Sequence, residues 1–176
     1  MKHLIRLDAF YIMTHDYFTE AEILTILEEV VDKFLLPRFE ALKMDASGEW
    51  TKSLETVYDG GDTGRIRGRF YSYWLAHGRA GNRDQSPEAL RRWAVWAGKT
   101  FIGDWVRAKG IAADPIAVAY SIAQKGTTWK SKGGSNLLEV LEEPETIKYI
   151  QDRMSAIVAP KVADMLKRSA AEIFKN

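Results

Sequence analysis

The sequence contains no cysteine among its 176 residues. Disulfide frameworks, thiolate zinc sites, iron–sulfur clusters and cysteine nucleophiles are therefore excluded, and the absence is typical of a reducing compartment. Histidine is also scarce, because only His3, His15 and His77 are present. No two of them have the spacing of metal ligands on one helix. We therefore expect neither a bound metal nor a cofactor.

Long apolar runs are absent as well. No stretch approaches the roughly 20 residues that a membrane-spanning helix needs, so we expect no membrane partner. The apolar N-terminal stretch includes the charges of Lys2, Arg6 and Asp8 and lacks a small-residue cleavage site, which argues against a signal peptide. With 46% hydrophobic and 28% charged residues, the chain has the composition of a globular protein, and its length fits one domain.

The formal net charge of +1 conceals an uneven distribution along the chain. Residues 1–61 carry a net charge of −6, residues 62–110 a net charge of +6, and residues 111–176 a net charge of +1. Such opposed blocks allow three interpretations. Copies of the chain dock head to tail, the basic block faces phosphate, or the two blocks pair within one fold.

The first strong secondary-structure signal is a long N-terminal helix. Thr19 and Glu22 have the spacing of a capping box, in which each side chain caps the other residue's amide. Apolar residues follow at helical spacing through Leu35, which predicts an amphipathic helix. Because Pro37 lacks an amide hydrogen, we expect the helix to kink or restart there.

A period of two then predicts a β-hairpin. The alternation runs from Trp50 to Tyr58, ends at the glycine-rich turn of residues 59–62, and resumes over residues 65–70. The second strand places its arginines on one face, with Ile66 and Phe70 on the other. The arginines of that face are Arg65, Arg67 and Arg69.

Further helices are predicted in the second half of the chain. Ser86-Pro87 and Asp114-Pro115 each combine an N-cap residue with a proline at the first helical position. The segment 126–134 is rich in glycine and lysine and predicts a flexible basic loop. The longest helical pattern covers residues 145–174, and Pro160 is expected to interrupt it.

These patterns predict an α+β fold. A small antiparallel, hairpin-based β-sheet packs with a long N-terminal helix, short middle helices and a long C-terminal helix. Residues 1–18 are predicted to be an N-terminal arm or an edge strand, 19–145 the α+β core domain, and 146–176 the C-terminal helix. The first segment is too apolar for a solvated tail, so it docks either on a neighbouring copy or on its own sheet.

No residue pattern indicates catalysis, and we expect the protein not to be an enzyme. His77 has no recognisable nucleophile or orienting carboxylate nearby in sequence, so a solvated or interface histidine is expected. The glycine-rich segment Gly60–Gly64 lacks the Lys-Ser/Thr that a phosphate loop requires and lies between two predicted strands. We interpret it as a turn.

Arginine, tryptophan and the basic loop provide the candidate interaction residues. Tryptophan is enriched at interface hot spots, and six are present in this chain. Arginines near aromatic residues are also typical of single-stranded nucleic-acid surfaces. The residues predicted to line an interface are Arg65, Arg67, Arg69, His77, Arg79, Trp96, Trp105, Trp129, Lys130 and Lys132.

An ordered set of short motifs resembles a known family. It comprises Ser53–Glu55, the segment GRIRG at 64–68, YSYWLAHGR at 71–79, AVAYSIAQKGT at 117–127 and LLEVL at 137–141. This set resembles the tail-completion, or head–tail joining neck, proteins of tailed bacteriophages. Two departures are the long insertion at 82–109 and the length of the terminal helix.

The resemblance implies a structural virion protein. Copies would form a homo-oligomeric ring at the neck or tail-completion position, joining the head connector to the tail. Its partners would be the chain itself and a connector or portal, tail tube or terminator protein, with DNA passing transiently through the lumen. It also implies synthesis in the host cytoplasm, and a tyrosine-rich strand before Gly78. The alternative function is nucleic-acid binding by the basic segment 62–110.

Overall fold

The computed structural model describes residues 4–5, 17–44, 48–69 and 71–173. Expectations that concern His3, His15, Phe70 and Phe174, and most of the predicted segment 1–18, lie outside these residues. The fold is α+β, as predicted from the sequence. Its described α-helices are α1 (Glu20–Val30), α2 (Leu36–Ala41), α3 (Ser72–His77), α4 (Pro87–Lys99), α5 (Phe101–Ala108), α6 (Pro115–Lys125), α7 (Thr128–Ser131) and α8 (Pro144–Ile173).

The sheet is antiparallel and is built on the predicted hairpin. Its strands are β1 (Leu4–Ile5), β2 (Glu55–Gly60) and β3 (Thr63–Arg67), in the order β1-β3-β2. Ile66 pairs with Thr56 on one side and with Ile5 on the other. Leu4 and Ile5 therefore form an edge strand of the chain's own sheet, which is one of the two predicted roles of the N-terminal segment.

The chain divides into two compact units that alternate along the sequence. The sheet unit comprises the described parts of Leu4–Leu35, Glu55–Arg67 and Glu139–Asn176. The helical unit comprises those of Leu36–Leu54 and Gly68–Leu138. The sequence predicted contiguous segments instead, since residues distant along the chain give no local sign that they pack together.

In the sheet unit, α1 packs its apolar face on the hairpin. The predicted capping box is present, with the Thr19 hydroxyl accepting from the Glu22 amide at 3.3 Å and Glu22 accepting from the Thr19 amide at 2.8 Å. Gly64 and the fully buried Ile66 lie on the β3 face toward α1. A Cβ at Gly64 would lie 2.7 Å from Ile23, so only glycine permits this approach.

Two prolines affect their helices differently. Before Pro37 the chain changes to a π-helical turn, Val31–Leu35, and the α-helix restarts at Leu36, as expected for a residue without an amide hydrogen. The predicted interruption at Pro160 is wrong, because α8 continues through it. Pro160 and Ala156, whose carbonyl it leaves unpaired, are both exposed, so water can take the place of the missing donor.

In the helical unit, small residues bring α4 and α6 close together. Ala94 and Ala97 of α4 and Ala119 of α6 are fully buried. A Cβ at Gly98 would lie 2.8 Å from the backbone of Ile116, so the two helices approach almost to backbone contact. Trp93 and Tyr120 pack around this cluster. The contact fixes α4, whose first turns carry the candidate site.

Several local predictions are wrong in this unit. The strand predicted from Trp50 begins only at Glu55, because Trp50 is buried against Phe39, with ring centres 4.4 Å apart, and a short 3-10 turn follows. The tyrosine-rich strand implied by the resemblance is the helix α3. The segment predicted to be a flexible loop contains the helix α7. For Trp50, a tertiary contact overrides a short local pattern.

Candidate functional site

The candidate site is a cleft at the start of α4. The predicted N-cap is present: the Ser86 hydroxyl accepts from the Ala89 amide at 3.3 Å, and Pro87 occupies the first turn. Asp84 accepts from the Ser86 amide at 2.9 Å, which fixes the preceding loop. These contacts hold the loop of residues 81–84 against the first turns of α4.

The cleft has a volume of about 570 Å³ and lies entirely within the helical unit. We call it the Arg–Trp cleft. Its charged and aromatic lining residues are Arg79, Arg83, Asp84, Arg92, Trp93 and Trp96. The cleft is open to solvent, and its wall carries more cationic side chains than anionic ones.

Arg79 forms the floor of the cleft. Its guanidinium lies 4.0 Å from the centre of the Trp93 ring, the geometry of a cation–π contact. It donates to the Asn82 side-chain oxygen at 2.5 Å and to the Ala80 carbonyl at 3.2 Å. Burial lowers the pKa of Arg79, because the charged guanidinium loses part of its hydration.

The arginines of the cleft have no carboxylate partner among the residues that the structure describes. All acceptors of Arg79 are uncharged oxygens, and Arg83 and Arg92 are exposed. The pKa of Asp84 is lowered by hydrogen bonds from Ser86, with a smaller contribution from the charge of Arg92. The cleft therefore presents a net positive surface suited to an anionic group.

An exposed aromatic cluster adjoins the cleft. Trp93, Trp96 and Phe101 pack edge to face, with ring centres 5.5 to 6.5 Å apart. Trp96 is 57% exposed and Phe101 is 42% exposed. Trp93 and Trp96 belong to α4, which ends at Lys99, and Phe101 begins α5. Solvent-exposed aromatic rings that lie next to one another are typical of interaction surfaces.

The loop behind the cleft is held by contacts between two of the sequence motifs, those at 71–79 and 117–127. The Arg79 amide donates to the Thr127 hydroxyl at 2.8 Å, and the Thr127 amide donates to the Arg79 carbonyl at 2.8 Å. Gly78 and Gly126 both have positive φ values, of 68° and 82°, and pack so closely that a side chain at either would collide with neighbouring backbone. The motifs at 71–79 and 117–127 thus meet at Arg79.

The predicted arginine face is present in part. Arg65 and Arg67 alternate with buried Ile66 in β3 and are half-buried, with Arg65 paired to Asp59 at 2.5 Å. Their Nε atoms are buried without a hydrogen-bond partner among the described residues. Arg69 lies beyond the strand, where its exposed guanidinium pairs with Glu49 at 2.7 Å. The strand predicted over residues 65–70 therefore extends too far, because β3 ends at Arg67.

The other predicted interaction residues lie on several helices of the helical unit. His77 ends α3 and contacts the Tyr73 ring, with ring centres 4.6 Å apart. Trp105 of α5 is 39% exposed, whereas Trp129 of α7 is half-buried. Lys130 and Lys132 are exposed. Of all the predicted site residues, the structure places only Arg79 and Trp96 in the Arg–Trp cleft.

Sequence reasoning did not single out Arg83 and Arg92. A usable signal was present, because Ala89, Arg92, Trp93 and Trp96 recur at intervals of three and four residues. Such spacing places them on one side of a helix that begins at the well-marked Ser86 cap. The position of Arg83 depends on a long-range contact. The Asn82 amide donates to the Ala123 carbonyl of α6, and this hydrogen bond holds the loop with Arg83 against the same side of α4.

No family model matches the chain, and comparison with curated proteins and with solved structures also gives no match. Within the described ranges, no group of three or more histidine, aspartate or glutamate side chains is arranged to hold a metal ion. None of the helices in that part of the chain is long and apolar enough to cross a bilayer.

Proposed function

We propose that this protein is a structural subunit of a tailed-phage virion that assembles with copies of itself into a ring. The ring occupies the neck or tail-completion position and joins the head connector to the tail. The protein catalyses no reaction in this role. Its neighbours are a connector or portal protein on one side and a tail tube or terminator protein on the other, and DNA passes through the lumen.

The observation that carries the proposal is the aromatic cluster of Trp93, Trp96 and Phe101, in which Trp96 and Phe101 are exposed. Tryptophan and arginine are enriched in the few residues that dominate interface energies, and both are present here in a single surface. Full burial of a large apolar side chain contributes about 1.5–3 kcal/mol before ordering costs, and the exposed parts of Trp96 and Phe101 would supply a share of that on a partner. The cluster is therefore suited to be an anchor between subunits.

A second apolar surface supports ring formation. In the C-terminal part of α8, Met165 and Leu166 are 55% and 60% exposed, and residues 163–171 are all exposed. This surface belongs to the sheet unit, whereas the aromatic cluster belongs to the helical unit. A closed ring needs two different faces on each subunit, and two separate apolar surfaces can supply them.

We infer the position in the virion from the sequence motifs. The resemblance to head–tail joining proteins rests on short segments, and two of them, 71–79 and 117–127, are joined by the hydrogen bonds between Arg79 and Thr127. Pairing of distant motif residues is expected if the motifs encode one structural element. We propose that Arg65, Arg67 and Arg69 face the lumen or an acidic neighbour in the ring; within the subunit, Arg65 pairs with Asp59 and Arg69 with Glu49.

Electron microscopy of the purified chain tests the proposal. Negatively stained particles should be rings of uniform diameter with a central opening, and antibodies against the chain should label the head–tail junction of the virion. A chain that remains monomeric at high concentration, or label found only away from that junction, would contradict the assignment.

Nucleic-acid binding is the second candidate function, and the Arg–Trp cleft favours it. Arginine guanidinium groups beside an exposed tryptophan ring are the groups that contact phosphates and stack bases in single strands. A salt titration of oligonucleotide binding measures this directly, because each phosphate contact makes affinity fall more steeply with salt. Binding without any salt dependence would remove this candidate.

A further inference from the structure

The Arg–Trp cleft is suited to a specific interaction because its three arginines outnumber Asp84, the one carboxylate among its described lining residues. Arg79 is partly buried, yet its guanidinium donates only to uncharged oxygens among the residues that the structure describes. A guanidinium that has lost hydration gains most from a carboxylate or phosphate placed against it. Arg83 and Arg92 stand exposed at the same opening, so an incoming anionic group would meet all three.

The sheet unit carries a surface of the opposite charge. Glu28 of α1 and Asp32 of the following π-helical turn are exposed and one turn apart, and we call them the acidic stripe. Neither forms an ion pair with another residue that the structure describes. The nearby Lys33 lies over the Tyr149 ring at 4.5 Å. The stripe therefore keeps its negative charge.

Two other carboxylates of α1, Glu22 and Glu29, are already engaged. Glu29 accepts two hydrogen bonds from Arg153, at 2.7 and 2.8 Å, and Glu22 pairs with Lys161 at 2.7 Å. These pairs tie α1 to α8 within the sheet unit. Glu28 and Asp32 make no such contact with a residue that the structure describes, although they lie on the same helical run. The negative charge of Glu28 and Asp32 is therefore available to a partner outside the sheet unit.

We propose that the Arg–Trp cleft of one copy receives the acidic stripe of the next copy. The proposal rests on the proposed function, since it identifies one heterologous contact of the ring. Glu28 and Asp32 would pair with Arg83 and Arg92, while Trp96 packs on the side of α1 beside Thr25. Charge complementarity supports this occupant, because Glu28 and Asp32 are exposed one helical turn apart and have no ion-pair partner among the described residues.

Charge reversal tests the contact. Arg83→Glu/Arg92→Glu and Glu28→Lys/Asp32→Lys should each require an at least about 30-fold higher concentration for half-assembly, as is typical when one side of a charge pair is reversed. A chain with all four reversals should assemble like the unaltered chain, because the complementarity is restored. Arg91→Glu, next to Arg92 but outside the cleft, and Glu40→Lys on α2 are the matched controls.

The experiment distinguishes failure of this contact from failure of the proposed function. If the unaltered chain assembles and the reversals have no effect, or if the four-reversal chain stays dissociated, the contact is refuted while the ring remains. If the unaltered chain never assembles, the proposed function itself fails. Tight binding of a single-stranded oligonucleotide that needs Arg83 and Arg92, with assembly unaffected by their reversal, would assign the cleft to nucleic acid and overturn the contact. Circular dichroism melting confirms that each variant is folded.

Discussion

The guanidinium of Arg79 stacks on the Trp93 ring at 4.0 Å, and this contact joins a loop residue to the middle of α4. The stack organises the Arg–Trp cleft, because Trp93 also packs against the alanine cluster between α4 and α6. Arg79 in turn fixes Asn82 through its side chain and Thr127 through its backbone. The exposed aromatic ring of Trp96 and the cationic groups are thereby held on one surface.

Trp93→Ala should destabilise the fold by about 2–3 kcal/mol, because it removes both the stacking partner of Arg79 and part of the packing around Ala94. Chemical denaturation measures the change. Trp105→Ala is the control, since Trp105 is an exposed tryptophan outside the cleft and its loss should cost less. Equal losses for the two variants would contradict the role given to the stack.

Gly64→Ala should destabilise the sheet unit by about 1–3 kcal/mol, because the added methyl group overlaps Ile23 and Leu27 of α1. Thermal unfolding followed by circular dichroism measures the effect. An unchanged melting temperature would show that α1 does not pack on β3 as described.

The sequence predicted those parts of the fold that depend on short-range chemistry. The Thr19 capping box, the Ser86 and Asp114 helix starts and the glycine turn at 60–61 are each determined by a few adjacent residues. Backbone hydrogen bonds within one turn determine such features almost independently of the rest of the chain. The sequence alone was sufficient for them.

Features that depend on contacts between distant residues were predicted less well. Trp50 follows the alternation of a strand, yet its indole stacks on Phe39 and donates to Ser72 at 2.9 Å. The Arg–Trp cleft requires Asn82 to bind the Ala123 carbonyl, a contact without a local sequence signal. Arg83 and Arg92 were therefore identified as neighbours only from the structure.

Acid should weaken the junction between α1 and α8. Hydrogen bonds from Arg153 lower the pKa of Glu29 below its ordinary value of 4.5, against a smaller opposing effect of burial. Because the folded-state pKa is the lower one, the stabilisation is fully present above the unfolded-state pKa and is lost as pH falls through the folded-state pKa. Glu29→Gln should remove this part of the pH dependence.

Denaturation between about pH 2 and pH 7 measures the effect on the free energy of unfolding. Glu28→Gln is the matched control, because the neighbouring carboxylate has no ion-pair partner among the described residues. Its profile should keep the acid slope of the unaltered chain. If Glu29→Gln and Glu28→Gln have the same profile, the pair with Arg153 does not stabilise the fold.

Met165→Glu/Leu166→Glu should weaken assembly without lowering the melting temperature. Both side chains are more than half exposed, so their replacement costs the isolated subunit almost no burial, whereas charges in a subunit contact lose hydration. Arg168→Glu on the same exposed part of α8 is the control for added negative charge. A lower melting temperature together with unchanged assembly would show that this surface packs within the subunit.

Sedimentation equilibrium of the purified chain over a range of concentrations tests the central claim, self-assembly into a closed ring, most directly. The account predicts one dominant species whose mass is a fixed multiple of the 20.0 kDa subunit and does not grow further as concentration rises. A species that remains at 20.0 kDa throughout, or a mass that increases without limit, would contradict it.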